Sequence, residues 1–124
     1  MTSAGQEEGQ ATVELALLLP LLVALLLGVI QVGLVARNSV AVSHATRAAA
    51  RTALVDPSAG AVRAAARQAT GLDPSRLRVE VLGSPVPGAV VRVRVSYADP
   101  TDVPIIGRLV PSLTLTDELV VRVE

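Results

Sequence analysis

The chain has 124 residues, a length that allows one small domain once an apolar segment has taken its share. Apolar residues make up 51% of it and aromatic residues 1%, so its core must be built from Val, Leu, Ile and Ala. The 11 basic residues, all arginines, balance 11 acidic ones. Without a basic face or aromatic residues for base stacking, the composition argues against nucleic-acid binding. The lack of cysteine excludes a disulfide framework, a thiolate nucleophile and a sulfur-ligated zinc site.

Residues 15–36 form an apolar run without a single charge. As a helix these 22 residues extend roughly 33 Å, enough to cross a hydrocarbon core of about 30 Å. A cleaved secretory signal is a rival interpretation, but it has a basic start and a shorter apolar run, and here the preceding stretch is acidic. A core helix of a soluble protein would show a polar face, and this run offers only Gln31. The sequence therefore predicts one membrane-spanning helix.

Small residues recur at every fourth position of this run, at Ala16, Pro20, Ala24 and Gly28. Positions four apart lie on one face of a helix, so these residues form a narrow stripe that lets another helix approach closely. Small residues are common in membrane helices generally, but their regular spacing favours a packing face. Pro20 also removes one backbone donor and clashes with the preceding turn, which predicts a bend.

The residues at the start of the apolar run carry a resemblance to a known family. They read GQATVELALLLP from position 9 to position 20, a glycine followed by a polar residue, a short run of small residues, a glutamate and the apolar helix. This order resembles the class III signal of type IV pilins and pseudopilins, and most of all the TadE-like minor pilins or pseudopilins of tight-adherence (Tad) pili. The matching residues are Gly9, Ala11, Val13, Glu14, Ala16, Pro20 and Gly28.

The resemblance implies a processing site and an assembly residue. A prepilin peptidase would cut after Gly9 and remove residues 1–9 as a leader peptide. Gln10 would then be the first residue of the mature chain and Glu14 the fifth. In this family the glutamate is expected to pair with the new amine of a neighbouring subunit and so to align helices during assembly.

Two indications of membrane orientation disagree. Glu7 and Glu8 precede the apolar run where the family usually carries Arg or Lys, and Arg37, Arg47 and Arg51 follow it. A literal positive-inside count would place the C-terminal part in the cytoplasm. The resemblance implies the opposite, a single-pass protein of the cytoplasmic membrane whose C-terminal domain is extracytoplasmic, and this is the orientation that we expect.

The part that follows the apolar run begins with helical segments. Residues 37–55 contain neither glycine nor proline and are rich in alanine, so the helix should continue out of the membrane as far as Asp56 and Pro57. A second short helix is predicted over residues 58–70, from a capping Ser58 to Gly71. Helical spacing predicts one face with His44, Arg47 and Arg51 and another with Val42, Ala45, Ala49 and Ala53.

Strand patterns follow the helices. Apolar and polar residues alternate over 77–81 and 91–97, which predicts two half-buried strands joined through SPVPG at 84–88. A third strand is predicted from about 113 to 123, with Leu119, Val121 and Val123 on one face. The predicted fold class is α+β, a long transmembrane helix that continues into an exported helix, followed by a small antiparallel sheet of about three strands laid on it. The expected divisions are a leader over 1–9, a transmembrane helix over 10–36, an exported helical segment over 37–75 and a β-sheet domain over 76–124.

No residue pattern favours a metal site or catalysis. Asp99 and Asp102 could ligate calcium, but two carboxylates fall short of the roughly six to eight oxygens that such a site needs, and turn formation is the better interpretation. His44 is the only histidine, so neither a metal cluster nor a proton relay can be built from several histidines. We therefore expect no cofactor, no metal and no enzymatic activity.

The function that we expect is that of a TadE-like minor pilin or pseudopilin in the assembly of a Tad-type pilus or a related secretion apparatus. Its expected partners are the lipid membrane, a prepilin peptidase, and other pilin subunits and assembly proteins. One alternative is a permanent single-pass membrane protein whose extracytoplasmic domain binds an unrelated partner, with Glu14 as an interfacial charge. Another is a secreted domain that signal peptidase releases near Arg37. The mature N-terminus distinguishes the three.

Overall fold

The computed structural model describes residues 3–99 and 113–124. Its helices are α1, Ser3–Val55, and α2, Ala59–Gln68. Its strands are β1, Leu77–Gly83, β2, Val90–Asp99, and β3, Leu113–Arg122. The three strands form one sheet in the order β1-β2-β3, and both pairs are antiparallel. A long apolar helix followed by a small antiparallel sheet confirms the predicted α+β class.

Helix α1 runs for 53 residues and continues through Pro20. It ends where the sequence predicts, because Pro57 disfavours a helical conformation at the residue before it. The Asp56 backbone N–H still donates to the Thr52 carbonyl at 2.8 Å, and the Asp56 carboxylate then accepts from the Ser58 N–H at 3.0 Å. Ser58 occupies the N-cap of α2 with the extended backbone of a cap, but its hydroxyl makes no capping hydrogen bond.

The core lies between the sheet and the C-terminal part of α1, with α2 beside it. The predicted apolar face of α1 is buried, at Val42, Ala45, Ala49 and Ala53, and the predicted polar face is exposed, at His44, Arg47 and Arg51. Alanine side chains are short, so the sheet can approach the helix closely along this stretch. Opposite them lies the inner face of the central strand, formed by Val91, Val93, Val95 and Tyr97.

The turn between β1 and β2 depends on glycine at two places. Gly83 has a φ of 123°, and a Cβ added there would lie 2.6 Å from the Val90 carbonyl oxygen. Gly88 has a φ of 84° with open space around it, and its N–H donates to the Val123 carbonyl at 2.8 Å. The turn is thereby fixed to the end of the chain as well as to its own strands.

Strand β3 closes one side of the sheet and connects it back to α1. Its inner face carries Leu119 and Val121, as predicted, and buried Val123 follows the strand. Leu119 is nevertheless 37% exposed, because β3 is an outer strand of the three. The Glu124 N–H donates to the Leu54 carbonyl at 3.1 Å, so the last residue reaches the C-terminal end of α1.

Candidate assembly site

The N-terminal part of α1 projects from the domain as an exposed apolar helix. Its most apolar window has a mean hydropathy of 2.7, and none of that window is buried. Leu17 is 74% exposed and Val32 is 69% exposed. A core helix of a soluble protein would be mostly covered, and a contiguous apolar surface of this extent in water marks an interaction site. The length and composition of the helix suit a membrane span, and its exposure leaves its whole circumference to lipid or other helices.

Gln10 and Glu14 meet one turn apart on this helix. The Gln10 side-chain amide donates to the Glu14 carboxylate across 3.2 Å, and both residues are exposed. The neighbouring Gly9 is also exposed, and a Cβ added there would meet nothing within 4 Å. The structure therefore brings together the two residues that the resemblance singles out, beside a glycine whose surroundings are open.

The stripe of small residues borders a shallow apolar groove of about 450 Å³. Ala24 and Gly28 line it together with Leu25, Val29 and Val32. Gln31 follows Gly28 by three positions and so lies on the same side of the helix. Its side-chain oxygen is buried and accepts no hydrogen bond within the part of the chain that the structure describes. A polar side chain next to small residues is a common contact between membrane helices.

The domain is joined to α1 immediately beyond the predicted membrane span. The Asn38 side-chain amide donates to the Asp99 carboxylate at 2.7 Å, and Asp99 is only 4% exposed. The sequence assigned Asp99 to a turn, whereas it is the last residue of β2 and bonds to α1. Its proposed companion Asp102 lies outside the described residues. No sequence signal could have found this pair, since 61 positions separate its members.

The carboxylates of residues 3–99 and 113–124 whose pKa is shifted lie in turns, apart from any metal-binding group. No group of three or more His, Cys, Asp or Glu residues in those ranges could hold a metal ion. The Ser58 hydroxyl and backbone N–H hold the pKa of Asp56 below its ordinary value. The same two groups of Ser75, aided by Arg76, lower the pKa of Asp73. Both carboxylates are exposed and shape turns, so their shifts reflect local hydrogen bonding.

These features fit a single-pass membrane anchor that carries a small α+β domain. Residues 9–51 match the family model described as TadE-like protein, which confirms the resemblance seen in the sequence. The matched segment begins at Gly9, includes the apolar helix and ends at Arg51 within α1, so α2 and the sheet lie outside it. The TadE-like family is a pilus-related structural family, and the match indicates a Tad pilus-associated protein. Neither a curated protein nor a solved structure matches the chain.

Proposed function

We propose that this protein is a minor pilin or pseudopilin that takes part in assembling a Tad-type pilus or a related secretion apparatus. One observation carries the proposal: the TadE-like match starts at Gly9, the candidate cleavage residue, and includes the apolar part of α1, whose most apolar window no other described element covers. An anchor for a single chain needs only an apolar surface. A subunit needs in addition a defined start of its mature chain, a fixed register between neighbouring helices and a face for helix packing. The sequence offers a candidate for each.

The defined start is the peptide bond after Gly9. Cleavage there by a prepilin peptidase would remove residues 1–9 and give Gln10 a free amine at the membrane edge. Glycine suits this position because it leaves the protease room, and the surroundings of Gly9 are open in the structure. Glu14 then lies about 6 Å further along the helix, at 1.5 Å per residue.

The register would come from Glu14. An ionised side chain at the centre of a bilayer costs roughly 2.5–3.5 kcal/mol on insertion scales, and less near the interface, so Glu14 does not favour insertion. Within one chain, among the described side chains, its carboxylate accepts a hydrogen bond only from the neutral Gln10 amide. The amine of a neighbouring subunit would supply a positive partner, and their attraction is stronger beside lipid than in water. Pairing of this kind sets how far one helix is shifted along the next.

The packing face would be the stripe of Ala16, Pro20, Ala24 and Gly28. Small side chains let helix backbones approach, and the groove beside Gly28 gives a neighbouring side chain room. Gln31, on the same side, could bond across such a contact. The C-terminal domain would be extracytoplasmic, at the end of α1 remote from the leader, and a reporter that works only in the cytoplasm should be inactive when fused after Glu124.

Replacement of Glu14 tests the assembly role. The chain, tagged after Glu124, is expressed in a cell that makes Tad pili, as wild type, as Glu14→Ala and as Glu8→Ala. Glu8→Ala is the matched control, because it removes the same charge from the segment expected to be discarded. Glu14→Ala should insert normally, since a charge is lost, while its share in the sheared pilus fraction or with the assembly machinery falls at least about tenfold, a loss of 1.4 kcal/mol or more. Normal incorporation of Glu14→Ala would refute the role of Glu14.

The mass of the mature protein tests processing in the same cells. A chain that begins at Gln10 supports the proposal, and Gly9→Val, which adds a branched side chain at the cut, should leave the leader attached. A wild-type chain that keeps Met1 in the membrane would instead indicate a permanent single-pass protein. A soluble chain that begins near Arg37 would indicate a secreted domain.

A further inference from the structure

A groove of about 300 Å³ lies between α2 and β1, away from the apolar helix. Arg63 and Arg67 of α2 form one wall, and the other consists of Leu77, Arg78, Val79 and Glu80. Successive side chains of a strand point to opposite faces of the sheet, so a groove bordered by four consecutive residues runs along the edge of the strand. In the order β1-β2-β3 this is the edge that faces away from β2.

The register of the sheet shows which backbone groups face this groove. The Ala98 N–H donates to the Arg76 carbonyl at 3.1 Å, just before the paired stretch that begins with Leu77 opposite Tyr97. Directly opposite residues of an antiparallel ladder are alternately hydrogen-bonded and not hydrogen-bonded. Because Arg76 bonds to Ala98, the backbone groups of Arg78 and Glu80 also bond to β2. The N–H and C=O groups of Val79 therefore point outward into the groove. They are the groups that a further strand would use.

The opposite edge of the sheet is capped by a side chain at one position. The Val123 N–H donates to the Ala89 carbonyl, so by the same alternation the even-numbered residues of β3 direct their backbone groups away from β2. The outward N–H of Glu118 already bonds to the Asp117 carboxylate at 2.9 Å. Asp117 also places a charge on the inner face of this outer strand, a device that discourages pairing with another chain. Within the described part of β1, no side chain caps the edge in this way.

The charge of the groove is positive. Arg63, Arg67 and Arg78 make no ion pair with any residue in the described ranges, whereas Glu80 is engaged by Arg94 at 3.5 Å. Arg63 and Arg67 are four positions apart and thus adjacent on α2. Guanidinium groups bind carboxylates through two parallel hydrogen bonds, so three of them favour an acidic occupant.

We propose that this groove binds an extended acidic segment of another polypeptide, which joins the sheet as a fourth strand beside β1 and sets its carboxylates against Arg63, Arg67 and Arg78. A polypeptide is the occupant that fits, because its backbone matches the outward N–H and C=O groups of the edge, whereas a lipid headgroup or a free anion would use only the charges. This interaction goes beyond the proposed function and uses a surface separate from residues 9–36.

The test uses the full chain in detergent micelles. The probe is a fluorescent peptide of alternating Glu and Val, about eight residues long and thus the length of an ordinary strand, and binding is followed by fluorescence anisotropy. Two comparison peptides separate the contribution of charge to binding from that of backbone hydrogen bonds. One has Lys in place of Glu, and the other keeps Glu but carries N-methyl groups on every second amide, which removes one row of backbone donors. The acidic peptide should bind, and each comparison peptide should bind at least about tenfold more weakly.

Charge reversal on the protein completes the test. Arg63→Glu with Arg67→Glu should weaken binding at least about tenfold. Arg47→Glu with Arg51→Glu is the matched control, because it reverses two exposed arginines at the same spacing on α1 and should leave binding unchanged. Circular dichroism and the emission of Tyr97 verify that both variants are folded. Equal binding of the N-methylated or basic peptide, equal loss in both double variants, or no binding of the acidic peptide would overturn the proposal.

Discussion

The contact between Asn38 and Asp99 joins the sheet to the part of α1 that directly follows the predicted membrane span. The Nδ2 to Oδ1 distance is 2.7 Å, at the short end for an amide and a carboxylate, and Asp99 is 4% exposed. Asn38→Ala removes the donor and leaves a buried carboxylate without it. Among the described side chains no other bonds to Asp99, so little can compensate for the loss.

The size of the effect follows from this geometry. A hydrogen bond to a charged group contributes about 1.5–3 kcal/mol, so Asn38→Ala should lower the free energy of unfolding by about 2 kcal/mol. Asp99→Ala should cost a similar amount. If both losses reflect the same bond, the double variant should be only slightly less stable than either single one, with a coupling energy of at least about 1 kcal/mol. Asn38→Asp should be worse than Asn38→Ala, because it sets two carboxylates against each other.

Tyr97 provides the assay, because it is the only aromatic residue and lies buried on β2, two positions before Asp99. The full chain is unfolded with urea in mild detergent, and Tyr97 emission monitors the unfolding of the sheet while the apolar helix stays in the micelle. Arg47→Ala, an exposed change on the same helix, is the control and should alter stability by less than about 0.5 kcal/mol. Additive losses from Asn38→Ala and Asp99→Ala would show that the pair does not join α1 to the sheet.

Two further predictions concern turns and use the same assay. Gly83→Ala brings a Cβ to 2.6 Å from the Val90 oxygen at a φ of 123° and should lower the free energy of unfolding by about 3 kcal/mol. Gly88→Ala, at a φ of 84° with open space, should lower it by only about 1 kcal/mol. Equal losses of stability would contradict the proposed steric clash. The pKa of Asp73 is lowered in the folded chain, so its stabilising contribution is present above its ordinary pKa of 3.8 and is lost as the pH falls through the folded value. The wild type should therefore be more stable than Asp73→Asn at neutral pH and should lose that advantage in acid. A stability difference that stays constant with pH would contradict this prediction.

The sequence predicts those parts of the fold that depend on periodicity and on chain-breaking residues. The end of α1 at Val55 follows from Pro57, and the strands near Leu77 and Val91 follow from strict alternation. The buried and exposed faces of α1 beyond Arg37 are also correct, because a helix returns to the same face every three or four residues. These signals are local, so one sequence is enough to read them.

The features that the sequence did not reveal depend on residues far apart in the chain. Asn38 meets Asp99 only because the sheet folds back along α1. The groove at β1 requires α2 to lie beside that strand, a placement that no local pattern in the sequence indicates. The position of β3 at the edge of the sheet was also not revealed, because alternation alone does not tell an outer strand from a central one.

The change in composition along α1 divides the helix between two environments. Leucine dominates the part expected in the membrane, where long side chains meet lipid, whereas alanine dominates the part beneath the sheet, where Ala45, Ala49 and Ala53 are fully buried. Each buried alanine removes little apolar surface from water, so the core depends on many close contacts with the helix. A chain that lacked residues 42–53 would expose the valine face of the sheet. The C-terminal domain is therefore built on the same helix that contains the candidate membrane span.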